Sequence, residues 1–228
     1  METLRDILDA AAGGTFPPPD GRTTVVPQPS PRDAGVFAFT AHSVIATDED
    51  PWGSPLWGRV YDTLRALDCD ALAATMNPRF LTALMERTGR GTDTIDVMTI
   101  AAPLVGRPAV GLTEIDDPGH PRVVSSRRRR DDVRVWAAEG GVLVLGRGVA
   151  GRLEAAVEVA EDVRHRGLGR ELAGAARQLS DGEPVWAQIS AGNARSLRAF
   201  QAAGYRPVGS ELLLSARPRS AGCSRSRS

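Results

Sequence analysis

Three short segments follow one another between Val133 and Ala160, VRVWAAE, VLVLGRGV and LEAAVEVA, with glycine-bearing turns between them. Apolar residues recur at period two within them, which predicts strands, and the links are too short to hold a crossover helix. Consecutive strands must therefore pair antiparallel, as a meander with a face to be covered. The cover comes next in the chain. A turn with two glycines, RHRGLGR, leads into an amphipathic helix from Gly167 to Leu179, followed by Asp181-Gly182 and the strand VWAQIS. A helix from Ala194 to Ala203 and a strand pair within YRPVGSELLLS complete this half. A meander running on into β-α-β predicts an α/β fold of the mixed α+β kind, a twisted mixed sheet with flanking helices.

The first half reads as an additional α/β region. Leu4, Ile7, Leu8 and Ala11 recur at helical spacing until Gly13-Gly14 and Pro17-Pro18-Pro19 stop the helix, and a proline-rich connector runs to Pro31. Gly35 to Asp48 is expected as one strand, followed by helices from Leu56 to Leu67 and from Pro78 to Thr88, the latter capped by Asn77. TIDVMTIAAP reads as a buried strand. Glycine and proline then crowd residues 106–111, which sets the expected division: residues 1–108 as an N-terminal lid or substrate-binding half, 109–216 as a second domain, and 217–228 as a disordered tail. Past the division, PAVGLTEI is expected as a strand and GHPRVVSSRRRR as a helix.

All 28 basic residues are arginine, so chemistry that needs lysine is excluded: Walker-type nucleotide binding, lysine Schiff bases and Ser-Lys hydrolysis. A formal net charge of zero argues against nucleic acid as a partner. Cys69 and Cys223 are too few and too far apart for a disulfide framework or a metal cluster, so no metal is expected, and a reduced, cytoplasmic setting is. The opening METLRDILDAAAGG carries acids among its apolar residues and reads as neither a secretory leader nor a membrane span.

The turn RHRGLGR holds the clearest chemistry. A helix N-terminus presents N–H groups without intrahelical partners and favours an anion. Gly167 and Gly169 remove the side chains that would hold phosphate oxygens off the backbone, while Arg164, Arg166 and Arg170 add permanent positive charge. The stretch from Arg164 to Arg170, including His165 and Leu168, is therefore a candidate diphosphate cradle. It lacks the third glycine of a dinucleotide fingerprint, and tight strand-helix packing alone would also explain the glycines.

Downstream, GNARSLRAFQAAGYRPVG places Asn193 after a strand, Ser196 and Phe200 on the following helix, and Gly204-Tyr205 at its end. Arg164-x-x-Gly167-x-Gly169 together with this second motif resembles the GNAT superfamily of N-acetyltransferases, over about residues 110–216. The resemblance implies acetyl-CoA as co-substrate and an amine acceptor on a small molecule, amino acid derivative or peptide; a homodimer is compatible with it. It implies that Val157 and Val159 offer backbone groups to the pantetheine arm, that residues 164–170 hold the diphosphate, that Asn193 bonds to the pantetheine or lies near the thioester, and that Ser196 belongs to the same cofactor site.

An alkyl amine must lose a proton before it attacks a thioester. Glu154 and Glu158 share a strand face at period two and are the candidate bases; as plain strand carboxylates they would instead be solvated or ion-paired. Phe200 stands where the family often has a tyrosine to protonate the departing thiolate, so either CoA leaves as the thiolate itself or another hydroxyl, Ser196 or Tyr205, is the acid. A catalytically silent acyl-CoA-binding module remains the alternative, and acetylation of aminoacyl-tRNA a more distant one. Arg127 to Arg130, followed by Asp131-Asp132, is expected as a solvated helix end.

Overall fold

The computed structural model describes residues 2–48, 60, 62–72, 74–115 and 117–216. Five helices are bounded within them: α1 (Leu4–Ala12), α2 (Pro78–Thr88), α3 (Pro121–Arg127), α4 (Leu168–Gln178) and α5 (Ala194–Ala202). The first-half strands are β1 (Thr23–Pro27), β2 (Gly35–Phe39), β3 (His42–Thr47), β4 (Arg90–Gly91) and β5 (Asp96–Ala101). The second half supplies β6 (Thr113–Glu114), β7 (Asp131–Ala138), β8 (Gly141–Arg147), β9 (Leu153–Val159), β10 (Val185–Ser190), β11 (Arg206–Leu213) and β12 (Ser215–Ala216). Val60 and residues 62–65 are helical, whereas the start of the helix expected from Leu56 lies outside the described residues, as does the expected tail 217–228.

Ten strands form one mixed sheet in the order β1-β3-β2-β11-β5-β10-β9-β8-β7-β6, and β4 pairs separately with β12. The meander β7-β8-β9 is antiparallel throughout. No break separates the halves: β5 lies between β10 and β11 and is antiparallel to both. Alternation along the strands sorts the helices by face. Val185, Ala187 and Ile189 of β10 pack with α4 and α5, while Trp186 between them points to the opposite face and packs with α1. Val36 and Leu212 bury against α2, on the α4 side, and Val135 and Val144 bury against Val123 of α3, on the α1 side. Among the described residues no helix is long and apolar enough to cross a membrane.

Local chemistry explains several boundaries. Thr3 and Asp6 form a reciprocal capping box at the start of α1, and Asn77 Oδ1 accepts the Arg79 N–H at 2.9 Å at the start of α2. The single strand expected from Gly35 to Asp48 is instead the hairpin β2-β3, turning at Thr40-Ala41 with Ala41 at φ 53°. Its apolar run conceals the turn because neither turn residue is glycine or asparagine. β1 forms inside the proline-rich connector, where the β-branched run Thr23 to Val26 pairs parallel with β3. PAVGLTEI contributes only the two residues of β6. YRPVGSELLLS holds one long strand, β11, with a register shift between Pro207 and Gly209, and ends on the first residue of β12, which pairs with β4 instead of with β11.

Candidate functional site

The sheet opens between β9 and β10. β8 pairs with β9 along its full length, from Gly141–Val159 to Arg147–Leu153, but β10 meets β9 only at Trp186–Glu154. Residues 155–159 therefore have no strand partner on their β10 side. A cleft of about 670 Å³ occupies the opening, walled by the end of β9, the turn into α4 and the start of α5.

That turn is anchored at its start, where Ala160 N–H donates to Gly140 O at 2.8 Å. His165 at φ 66° and Gly167 at φ 92° both take left-handed backbone, bending the chain sharply into α4. Gly167 caps α4 and has no side chain to bond the first N–H groups of the helix. A Cβ on Gly169 would lie 3.7 Å from both Ala199 Cβ and Val159 Cγ2, in the narrow slot between α4, α5 and β9. Asn193 caps α5, its Oδ1 accepting the Ser196 N–H at 3.1 Å, which leaves its amide NH2 group as a donor.

Most of the residues singled out from the sequence line this cleft: Val157, Glu158, Val159, Arg164, His165, Gly167, Leu168, Gly169, Arg170, Asn193 and Ser196. The Val159 carbonyl already accepts from Arg164 Nε at 3.3 Å. Three do not. Arg166 is exposed and is not part of the cleft wall. Tyr205 is 2% exposed, its hydroxyl donates to Ala173 O at 3.3 Å, and burial pushes its phenol far above the usual range, so it stands as a core residue packed edge-on against Phe200.

Glu154 is the third. It is 2% exposed, and both carboxylate oxygens are taken: Oε2 accepts from Arg130 Nε at 3.0 Å, and Oε1 from Arg152 Nε at 2.9 Å and Val149 N–H at 3.1 Å. With its lone pairs so engaged and no face on the cleft, it is poorly placed as a base. Arg152 also binds Glu211 through both of that residue's oxygens, at 2.9 and 2.8 Å. The period-two spacing of Arg152 and Glu154 was a sequence signal for this pair. The tetra-arginine run, expected as a solvated end, divides: α3 stops at Arg127, Arg129 reaches Asp93 at 3.1 Å, and Arg130 turns inward to Glu154.

A second cleft, of about 390 Å³, lies on the opposite face, between α3 with the arginines that follow it and the outer face of β8 and β9. The two clefts share only Val157 and Glu158. Among the described residues, Glu158 is the one carboxylate on either wall, and it pairs with Arg122 of α3.

No family model matches the chain, and no curated protein does. GNAT acetyltransferases are among the solved structures to which it is similar. A GCN5-related N-acetyltransferase from Kribbella flavida is 18% identical with a TM-score of 0.41, the match covering 60% of this chain and 63% of that one. A putative GNAT-family acetyltransferase from Novosphingobium aromaticivorans is 16% identical with a TM-score of 0.40, covering 56% and 67%. A tandem GNAT protein from the clavulanic acid biosynthesis pathway is 12% identical with a TM-score of 0.35, covering 59% and 57%. The chain thus spans less than two thirds of the length of the first and third of these. The function proposed below rests on the clefts rather than on these likenesses.

Proposed function

We propose that this protein is an acyl-CoA-dependent N-acetyltransferase whose acceptor is the amine of a small molecule, amino acid derivative or peptide. The observation that carries the reading is the unpaired edge of β9, which ends at a helix start without a side-chain cap and flanked by Arg164 and Arg170. An extended amide-bearing arm can complete a strand edge, and a diphosphate can satisfy a helix N-terminus and two guanidiniums. Both features fit CoA, and acetyl-CoA supplies the thioester to be attacked.

The chain's own groups then divide the remaining work. Glu158, where the two clefts meet, takes the amine proton directly or through water, and Arg122 holds its carboxylate in place. Ser196 is the hydroxyl nearest in role to the missing tyrosine at Phe200, and it serves the departing thiolate. A silent acyl-CoA-binding module is the second reading, favoured by the burial of Glu154 and Tyr205.

Calorimetric titration with acetyl-CoA separates these ideas. Wild type binds, and Arg170→Glu, which reverses a charge on the cleft wall, weakens binding by about tenfold or more. Gly167 is a poorer target, since any side chain at φ 92° strains the turn itself. Glu158→Gln keeps acetyl-CoA affinity and lowers turnover of an amine by about a hundredfold or more, the usual scale of a general base. Absence of acetyl-CoA binding overturns both readings, and binding without turnover on a broad amine panel selects the silent module.

A further inference from the structure

The second cleft is lined by four arginines, Arg122, Arg128, Arg129 and Arg130, and by one carboxylate, Glu158. Two of the four charges are committed inside the wall, Arg122 to Glu158 and Arg130 to Glu154. Among the described residues, Arg129's one ion pair is with Asp93; the two side chains are 77% and 80% exposed, so the pair contributes little. Arg128 forms no ion pair or side-chain hydrogen bond among the described residues. The cleft thus has a neutralised end at Glu158, where it meets the first cleft, and a cationic end at the close of α3.

Resting on the acetyltransferase reading, we propose that the second cleft admits acceptors carrying an anionic group, carboxylate or phosphate, remote from the amine, and that Arg128 and Arg129 determine this specificity. The six residues from Arg122 to Arg128 put the two ends about 9 Å apart along α3, so amine and anion are separated by several bonds. The amine lies at Glu158, and the anion displaces Asp93 from Arg129 and shares its charge with Arg128. A planar guanidinium pair suits the two oxygens of either anion. Ser125 on the same wall adds a hydroxyl.

Two matched probe pairs test this: 6-aminohexanoate against 6-aminohexanamide, and 6-aminohexyl phosphate against 6-aminohexanol. Calorimetry on the full chain, with and without CoA, measures each affinity. At least one anionic probe is expected to bind about tenfold or more tighter than its neutral partner, with a preference that falls as salt rises. The arm with the larger ratio identifies the anion. Arg128→Ala combined with Arg129→Ala brings the ratio below about threefold, and Arg128→Lys with Arg129→Lys restores part of it. Thermal unfolding and acetyl-CoA affinity of the same variants report separately on folding and on the first cleft.

Equal affinity within both pairs, no binding of any probe, or a preference that survives the double alanine variant overturns the proposal. Anion preference in a protein that does not bind acetyl-CoA would instead retain the anion site and remove the acetyltransferase reading beneath it.

Discussion

Arg152 is buried and serves two carboxylates at once, Glu154 on β9, the strand it leads into, and Glu211 on β11. Its guanidinium also lies 4.9 Å over the Trp186 ring. The other cation in the cluster, Arg130, reaches only Glu154. Burial outweighs the pull of Arg152 at Glu211 and pushes its carboxyl from near 4.5 up to about 7. A raised carboxyl binds its proton more tightly in the folded chain, so its contribution is complete below pH 4.5 and is lost as pH rises through about 7. Folding stability is therefore expected to fall by up to a few kcal/mol between those limits from this group. Glu211→Gln should flatten that fall when urea midpoints are compared across the window. An unchanged slope would remove Glu211 as its source.

Among the elements, β11 comes close to the backbone of its neighbour. A Cβ on Gly209 would collide with Ala38 O and lie 2.8 Å from Met98 Cε, so only glycine lets the bulged strand fit between β2 and β5. Gly209→Ala should cost about 1–3 kcal/mol in chemical denaturation, the range for overpacking a close interface. The same bulge shows where sequence reading stops. Pro207 and Gly209 carry the punctuation of a turn, and nothing local reveals that both neighbouring strands keep the chain extended through them. The hairpin at Thr40-Ala41 misleads in the opposite way, by turning without turn residues. The meander, α4, β10 and α5 were legible because their periodicity and caps are local. So was the position of the turn from Arg164 to Arg170. Glu154 was legible in part: an ion-paired strand carboxylate was one of its two readings and Arg152 stands two residues away, whereas Arg130, which takes its other oxygen, arrives from beyond α3.

At the scale of the whole molecule, the expected division near residue 108 crosses a sheet that does not divide. Residues 1–108 hold β5, and its pairs Ala101–Val185 and Asp96–Glu211 make it a central strand of the second half's sheet. Residues 106–228 expressed alone would expose the facing edges of β10 and β11 along their whole length. That fragment is expected to be insoluble or to give a collapsed amide NMR spectrum, and co-expression with residues 1–105 should restore soluble material; a well-dispersed spectrum from the fragment alone would contradict this. The placement of β5 also orders events during synthesis. Translation completes β5 long before either partner strand leaves the ribosome, so on the nascent chain both of its edges stand unpaired even where Met98 and Ile100 can already pack on α1 and β2. The sheet's centre closes only when β10 and β11 have both emerged, so its pairing waits for the last quarter of the chain and is of the slow, non-local kind.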